Sequence, residues 1–563
     1  MTTATEPARP ATHPVAEDNG RRGLWVALLG VAAVATFALL MYQGRGRTFF
    51  YDEWDFVTLR SSGGLDTLLE RHNEHIAVLP AAVYRVLLET IGLAPVWPYR
   101  ALAALAHVGC AVLVFSLARR RVGDAGALVA AVLLLGLGAA WQDTLWGFQI
   151  GFLGSIFFGL LAFEALDRGG PRADLLACAA LLLATLSSSL GVPFAAGIGA
   201  ELLWRRRWGA LWVPAVAVVV YGAWYLGYGQ SAIEGEGLSR ATQWAVDAAA
   251  ASAGALFGRG LDWGRPLLAV GAALAAVAIV RRGVSPRLVG VLVLGAAFWL
   301  LTGAARSGGG VVEPPDTSRY LELGAVVLLL AGAEIARGSL LRPAAYGVAA
   351  VVVAISLAQG LQTLGDGGGG LRDSSNRTYA RLAAAEIVQQ RLPAGYHPLP
   401  ADAPGLTAGR YVNALKNVGE SPVGDPVKRL EDLAPAYRTQ GDKVLAEVGL
   451  AVSPAGRPAG TAPALEGTEG AAKAQAAGAC QKVTVPGGGA VVLTLPRGGV
   501  VVRGGAGALF VHVRRFAPAF DTAADKELNP GEAVRVAPTP DKAPAIPYHL
   551  RLASTAPFQV CAA

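Results

Sequence analysis

The sequence predicts a polytopic α-helical membrane protein with an extracytoplasmic C-terminal α+β region that ends in a small β-sandwich. The chain has 563 residues, 53% hydrophobic and only 16% charged, and a mean hydropathy of +0.43. A soluble protein of ordinary composition carries about a quarter charged residues. The apolar runs are concentrated before residue 362, whereas short alternating runs between Gly- and Pro-rich turns follow Cys480 and are typical of β-strands.

About eleven runs are apolar enough to cross a bilayer as helices. The first run has no convincing cleavage site, so we interpret it as an uncleaved span that follows a disordered cytoplasmic tail, residues 1–22. The segment Ile76–Gly92 is interrupted by Arg85 and Glu89, which favours a helix lying on the outer membrane surface. The predicted spans are 23–43, 98–118, 125–141, 148–166, 174–188, 191–204, 209–228, 266–280, 287–304, 320–336 and 343–361.

Clumps of arginine predict the orientation of these spans. Arg21 and Arg22, the triplets Arg119–Arg121 and Arg205–Arg207, and later clumps all fall on one side, which the positive-inside rule makes cytoplasmic. An odd number of spans then places the chain after residue 362 outside. The net charge of +7 is arranged as topology signals rather than as a nucleic-acid footprint. We expect a multi-pass plasma-membrane protein with a cytoplasmic N terminus, membrane lipids as neighbours and no nucleic-acid partner.

The predicted domains follow from this topology. Residues 23–362 form the membrane domain, with a first outer loop at 44–97, and residues 363–478 form an outer linker and helical segment. Within that segment "GDGGGG" (Gly365–Gly370) and the low-complexity stretch Ser453–Gly478 are predicted to be flexible linkers. Residues 479–563 form the β-sandwich, whose bracketing cysteines are expected to form a disulfide in an oxidising compartment. These are Cys480 and Cys561.

Polar side chains collect in the predicted outer loops. The first loop begins with "FFYDEWDF", in which three carboxylates are wedged among aromatic residues, and continues with "RHNEH". A later short loop reads "WQDTLWGFQ", and "SRY" begins a late span. The candidate site residues in these motifs are Asp52, Glu53, Asp55, Arg71, His72, Glu74, His75, Trp146, Gln149, Arg319 and Tyr320.

These motifs and their positions resemble the glycosyltransferase C (GT-C) superfamily, polytopic enzymes that take sugars from polyprenyl-phosphate carriers. The resemblance covers about residues 23–362. It rests on the acidic pair just after the first span, the many spans, the "SRY" of a late span and the outer C-terminal domain. More narrowly, "YDEWDF", "HNEH" and W-x-x-x-L-W-G-F-Q resemble an actinobacterial branch of membrane proteins with that plan.

The resemblance implies transfer of a sugar from a polyprenyl-phosphate donor to a cell-envelope glycan or lipid on the outer face. An inverting transfer needs one carboxylate to deprotonate the attacking hydroxyl, for which Asp52 or Glu53 is placed. Arg319 is the leading phosphate ligand, because a guanidinium binds phosphate oxygens through two hydrogen bonds. The remaining candidates, Tyr320 among them, would support or contact the substrate.

Each assignment has a structural alternative. Asp52 and Glu53 could be helix-capping acids, Arg319 could extend from a helix end to the membrane surface, and Trp146 could belong to an aromatic belt. His72, Glu74 and His75 could cap the surface helix, or His72, Glu74 and Asp52 could hold a metal. Their spacing matches none of the standard zinc patterns, so no metal ligand is predicted, and a divalent cation is left open as a cofactor.

Two other classes of function compete with an enzyme. A flippase or transporter of lipid-linked saccharides is typically built from internal repeats with polar groups at the membrane midplane, and neither is evident in the sequence. A structural membrane protein that presents the β domain would leave the acidic pair and Arg319 dispensable.

Overall fold

The computed structural model describes residues 19–60, 63–308, 312–338 and 343–563. Most of the predicted cytoplasmic tail, up to residue 18, lies outside the described residues. The described helices are α1 Asn19–Gln43, α2 Glu53–Leu59, α3 Asp66–Leu69, α4 Val78–Thr90, α5 Trp97–Leu135, α6 Trp141–Leu145, α7 Ile150–Arg168, α8 Pro171–Ser187, α9 Gly191–Trp204, α10 Trp212–Tyr228, α11 Gly235–Leu256, α12 Leu261–Arg282, α13 Pro286–Arg306, α14 Leu321–Ile335, α15 Pro343–Ile387, α16 Ala408–Val418, α17 Pro426–Asp432 and α18 Pro435–Val448.

Within the described residues, seven helical segments are long and apolar enough to cross a membrane. The predicted spans 98–118 and 125–141 fall in one such segment, Trp97–Leu145, which turns sharply at Gly123 (φ 73°). Other predicted spans fall on the shorter helices α8, α9 and α14, of 17, 14 and 15 residues. A chain of about eleven spans therefore stays a prediction. The seven segments are Arg22–Gln43, Trp97–Leu145, Gly147–Arg168, Trp208–Tyr228, Leu261–Arg282, Pro286–Arg306 and Gly347–Ile387.

Helix α11, of 22 residues, was not predicted from the sequence. Its first half, "GEGLSRATQWAVD", is polar, and its second half is an Ala-rich run that is almost wholly buried. A search for long runs of strongly hydrophobic residues misses such a helix, because the side chains that it buries are mostly small alanines. The predicted surface segment 76–92, by contrast, contains α4, which buries one face through Pro80, Ala81, Tyr84 and Leu88.

The predicted flexible linker Gly365–Gly370 is wrong, because these residues lie inside α15, a continuous helix of 45 residues. Glycine costs a helix about 1 kcal/mol per residue relative to alanine. Packing explains its use at Gly368, where a Cβ atom would lie 3.2 Å from Arg47 Nη2. The helix then buries Ala380, Leu382 and neighbouring residues, so the predicted domain boundary at residue 362 falls within a helix.

The chain divides into two compact units. Unit 1 comprises Met1–Tyr42, Ala104–Thr144 and Phe152–Leu364, and unit 2 comprises Gln43–Ala103, Leu145–Gly151 and Gly365–Ala563. The predicted first outer loop, 44–97, therefore groups with the C-terminal region rather than with the predicted membrane domain.

Unit 1 is a helical bundle in which small residues line several close helix crossings. A Cβ atom on Gly197 of α9 would lie 2.6 Å from the carbonyl oxygen of Gly290 on α13. A Cβ atom on Gly303 of α13 would lie 2.8 Å from the carbonyl oxygen of Ala241 on α11. Small residues let helix backbones approach in this way within membranes, where the hydrophobic effect between helices is weak.

The arginine clumps of unit 1 meet acids at one end of the bundle. Asp167 pairs with Arg121 at 3.0 Å and with Arg287 at 2.8 Å, and Arg287 also pairs with Glu201 at 2.6 Å. Because Arg205 joins the same carboxylates, the clumps of separate loops share one end of the unit, as the predicted topology requires. Which side of the membrane that end faces stays a prediction.

Two antiparallel sheets follow α18 in unit 2, and both contribute to one apolar core. The six-stranded sheet has the order β1-β9-β6-β11-β4-β3 and the five-stranded sheet β2-β5-β10-β7-β8. The second predicted linker is wrong in part, because β2 and β3 lie within it. The strands are β1 Leu450–Pro454, β2 Gly467–Gly470, β3 Lys473–Ala477, β4 Cys480–Thr484, β5 Gly489–Thr494, β6 Val500–Arg503, β7 Leu509–Arg514, β8 Lys526–Leu528, β9 Ala533–Pro538, β10 His549–Ser554 and β11 Phe558–Ala562.

Cys480 and Cys561 are joined by a disulfide bond in the structure. They are paired residues of two neighbouring antiparallel strands: Cys480 begins β4, and Cys561 lies near the end of β11. Cys110 and Cys178 are free and buried, as expected for residues of apolar helices.

Candidate active site

The acidic pair of the first outer loop lies at the start of α2, in unit 2. The carboxylate of Asp52, the residue before this helix, makes no capping hydrogen bond to the first turn. The carboxylate of Glu53, the first helical residue, accepts a hydrogen bond from the Phe50 N–H at 2.9 Å. The Glu53 carboxylate therefore acts in part as a helix cap, whereas the Asp52 carboxylate does not.

Glu53 is a buried carboxyl group whose oxygens both have partners. The Tyr84 hydroxyl donates to Oε1 at 2.5 Å, and the Phe50 N–H donates to Oε2. Burial raises the pKa of Glu53 to about 7, against the opposing effects of these two hydrogen bonds and of the Arg100 charge. Gly147 packs against the same carboxyl group, and a Cβ atom there would lie 2.8 Å from Oε1.

Asp52 is the more accessible carboxylate of the pair, with its side chain 23% exposed. Asn73 Nδ2 donates to Asp52 Oδ2 at 3.0 Å, and His72 Nε2 lies 3.6 Å from the same oxygen. His72 is buried, which holds its ring in place beside Asp52. The Asn73 amide and the His72 ring together orient a carboxylate that solvent can still reach.

Backbone strain is concentrated around Asp52. Among the described residues, the non-glycine positions with positive φ are Tyr51 (49°), Asn73 (52°) and Arg206 (55°). Two of them lie next to the candidate base: Tyr51 directly precedes Asp52 in the chain, and the Asn73 side chain donates a hydrogen bond to it. For a bulky residue such as Tyr51 this conformation costs about 1–3 kcal/mol and tends to occur where function holds a residue in place, whereas asparagine adopts it readily. Asn73 also turns the chain between His72 and His75, whose main chains exchange hydrogen bonds of 2.9 Å.

Aromatic contacts hold the sequence motifs together. The ring of His72 lies 5.0 Å from that of Phe56 and 4.7 Å from that of Phe148. Trp146 Nε1 donates to the Phe50 carbonyl oxygen at 3.2 Å. The structure thus brings "FFYDEWDF", "HNEH" and "LWGFQ" into one cluster within unit 2.

The remaining candidates of unit 2 differ in accessibility. Trp146 and Gln149 are buried, so in this structure neither offers a surface on which a sugar could stack, and Trp146 is not part of an exposed belt. Arg71 is exposed, and Glu74 and His75 are half-buried and 3.9 Å apart. Burial raises the pKa of Asp55, and the nearby charge of His72 opposes the rise.

Arg319 and Tyr320 lie in unit 1 and are engaged by an acid. Arg319 forms an ion pair with Glu313, and the Tyr320 hydroxyl donates to the other carboxylate oxygen of Glu313 at 2.6 Å. Arg306 Nε donates to the Tyr320 hydroxyl at 3.3 Å. The phosphate-binding role predicted for Arg319 stays a prediction, and in this structure a phosphate would compete with Glu313.

Sequence reasoning missed two polar residues that contact the acidic pair. Tyr84 and Asn73 were not singled out, although both contact the acidic pair. In unit 1, His107 Nδ1 lies 2.7 Å from Glu322 Oε1, and Asp143 is buried with no hydrogen-bond partner for either carboxylate oxygen in the described part of the chain. The acid within "WQDTLWGFQ" was the sequence signal for Asp143.

Within the described ranges, no group of three or more His, Cys, Asp or Glu residues has a geometry that could hold a metal ion. The sequence left a divalent cation open, and the described residues point to no set of ligands for it.

No family model and no curated protein matches the chain. Among solved structures, the chain is similar to the archaeal oligosaccharyltransferase AglB from Archaeoglobus fulgidus, determined in complex with an inhibitory peptide and a dolichol-phosphate. The match covers 78% of this chain and 70% of AglB, with 12% identity and a TM-score of 0.43. At this TM-score it carries no argument about the site or its function.

Proposed function

We propose that the protein is a membrane glycosyltransferase that moves a sugar from a polyprenyl-phosphate donor to a cell-envelope glycan or lipid on the outer face. The observation that carries this proposal is the geometry of Asp52. This carboxylate is partly exposed, makes no helix cap, and is oriented by Asn73 and His72 next to a strained backbone. Such an arrangement suits a general base better than a solvated loop acid.

Asp52 is assigned as the base in preference to Glu53. A general base must reach the proton that it removes, and geometry therefore has priority over pKa. Glu53 has a pKa of about 7, but it is 2% exposed and its oxygens already accept two hydrogen bonds. The Asp52 side chain is 23% exposed, so its carboxylate can be reached from solvent.

The reaction would be a single displacement that inverts the anomeric carbon. Asp52 accepts the proton of the acceptor hydroxyl while the hydroxyl oxygen bonds to the anomeric carbon of the donor sugar. The bond between that carbon and the phosphate oxygen breaks, and the electron pair leaves with the lipid phosphate. Because the phosphate is a stable anion, the step needs cations near it rather than a general acid.

Glu53 acts here as a positioning residue. Its bonds to the Phe50 N–H and the Tyr84 hydroxyl join the start of α2 to α4. This contact holds the main chain of Asp52 in place. We expect replacement of Glu53 to disturb the orientation of the base without removing it.

The test is transfer of radiolabelled sugar from polyprenyl-phosphate donors in membranes that contain the full chain. We expect Asp52→Asn to lose transfer while inserting at the wild-type level. The matched control is Asp66→Asn, since Asp66 is an exposed acid of the same predicted loop. Transfer by Asp52→Asn at the wild-type rate would remove the assigned base and favour the flippase or structural alternatives, which leave Asp52 dispensable.

A further inference from the structure

Arg47 and Arg372 of unit 2 meet at the last residue of α1, and a third arginine, Arg100, lies close enough for its charge to act on Arg47. Arg47 follows this helix, Arg100 lies in the first turn of α5, and Arg372 lies in α15. Arg47 Nη2 and Arg372 Nη1 both donate to the Gln43 carbonyl oxygen, each at 2.8 Å. Gly368 leaves room for both groups, because a Cβ atom there would lie 3.2 Å from Arg47 Nη2 and 3.5 Å from Arg372 Nη1.

These guanidinium groups have more donors than the surrounding residues satisfy. Arg100 is 8% exposed, yet its Nε and Nη1 have no hydrogen-bond partner among the described residues. Arg47 is 6% exposed, and its Nε also has none in the described ranges. An unpaired buried donor costs about 1–3 kcal/mol, and more when it is charged, so such donors call for a ligand or another explanation.

The positive charge of the cluster is poorly compensated. Arg47 donates to the main-chain oxygens of Leu145, Gln43 and Gly368, all of them uncharged. Burial and the charges of Arg100 and Arg372 together lower the pKa of Arg47 to about 9. Glu53 is the acid that acts against this effect, and its own carboxyl group titrates near neutral pH.

A purely structural explanation accounts for part of the cluster. Cations are favourable at the C-terminal end of a helix, where the main-chain carbonyls carry partial negative charge, and Arg47 and Arg372 cap α1 in this way. Arg100 makes no such bond through its two unpaired nitrogens. A negatively charged ligand that accepts hydrogen bonds would pair the Arg100 and Arg47 nitrogens that the helix end leaves without partners.

We propose that Arg47, Arg100 and Arg372 form an anion site that binds the phosphate of the lipid-linked sugar donor. A guanidinium fork matches two phosphate oxygens, and several forks suit the multiple oxygens of a phosphate ester or diphosphate. Gln43 ends the first candidate span and Arg100 lies near the start of the second, which is the depth expected for a lipid phosphate. The choice of donor rests on the proposed function, whereas the phosphate chemistry also fits an anionic phospholipid headgroup.

The first measurement is binding of undecaprenyl phosphate and of undecaprenol to the purified full chain in neutral detergent, followed by tryptophan fluorescence. We expect wild type to bind the phosphate at least about tenfold more tightly than the alcohol, since charge-assisted bonds supply the difference. Arg100→Gln should lose most of this ratio, and Arg100→Lys should keep part of it. Arg391→Gln, which removes an exposed arginine of the same unit, is the matched control.

The outcomes separate the site from its ligand. If Arg100→Gln keeps the wild-type ratio, the anion site is overturned. If that variant does not fold, Arg372→Gln, at a half-buried position, provides the same comparison. Excess phosphatidylglycerol should fail to displace undecaprenyl phosphate, and displacement at equal concentration would overturn the donor assignment in favour of a phospholipid headgroup.

The two proposals can also fail separately. Binding that depends on Arg100, in a protein that transfers no sugar, would retain the anion site and remove the glycosyltransferase. Sugar transfer that depends on Asp52, together with binding indifferent to Arg100, would retain the enzyme and remove this site.

Discussion

The hydroxyl group of Tyr84 donates a 2.5 Å hydrogen bond to Glu53 Oε1, and both side chains are buried. This bond joins the surface helix α4 to the start of α2, where the candidate base is held. It also leaves a carboxyl group in an apolar interior, with a pKa of about 7 in place of its ordinary 4.5. The position of the candidate base is therefore coupled to a group that changes charge in the physiological range.

The first prediction concerns the pH dependence of stability. Below pH 4.5 the folded and unfolded chains both hold the Glu53 proton, whereas between pH 4.5 and about 7 only the folded chain retains it. Stability from this group is therefore lost as pH rises through that window, by about 3 kcal/mol in total. Glu53→Gln removes the titration, so the difference between its thermal unfolding midpoint and that of wild type should change over the window. Parallel profiles would contradict the assignment.

Gly147→Ala should destabilise the same site. Its Cβ atom would lie 2.8 Å from Glu53 Oε1 and 3.1 Å from the Tyr84 hydroxyl, so these hydrogen-bonded groups must move apart. Overpacking of this kind costs about 1–3 kcal/mol. Thermal unfolding and sugar transfer should both fall, while Gly395→Ala, whose Cβ meets nothing within 4 Å, should leave both unchanged. A fully stable Gly147→Ala variant would show that the site tolerates displacement.

Asp442 should be important for joining α18 to the strands. Its buried carboxylate accepts main-chain hydrogen bonds from Arg515 at 2.9 Å, Phe516 at 3.0 Å and Ala517 at 2.9 Å. Asp442→Ala leaves three buried N–H groups unpaired, so we expect a loss of about 4 kcal/mol. The measurement is chemical unfolding, with exposed Asp432→Ala as control. Equal stability of the two variants would contradict this.

The Cys480–Cys561 bond should stabilise the β region by about 4 kcal/mol, because it closes a loop across a sequence separation of 81 residues. Peptide mass analysis without reductant should recover the two cysteines in one cross-linked species. Replacing both by serine should lower the unfolding midpoint and increase proteolysis after residue 480. Cys178→Ala, which changes a free cysteine, controls for the loss of a thiol. Recovery of both thiols unlinked in the mature protein would contradict the bond.

Local patterns predicted several parts of the candidate site. The carboxylates, aromatic residues and histidines of the predicted first outer loop were selected because charged groups beside an apolar run are costly unless they have a function. The structure brings these motifs together. The same approach missed Tyr84, Arg47 and Arg100. Each has an ordinary sequence context, and its significance lies in a partner, or a missing partner, that is distant in the chain.

Composition also predicted where structure would be irregular, and there it was wrong in two places. Gly365–Gly370 reads as a linker because glycine disfavours helices, yet the residues lie within α15. The Ala- and Gly-rich stretch 453–478 contributes two strands. Local propensity is worth about 1 kcal/mol per residue or less, and packing against distant residues overrides it.

The sequence by itself determined the apolar helices, the arginine clumps, the paired cysteines and the acidic pair, because hydropathy, charge and spacing act over short stretches. The tertiary structure alone decided which carboxylate is accessible. Asp52 and Glu53 are adjacent and chemically alike, but α4 supplies Tyr84 to bury one, and the turn at Asn73 orients the other. Tertiary structure also assembled the arginine cluster from residues more than 300 positions apart, because burial and hydrogen bonding depend on neighbours in space.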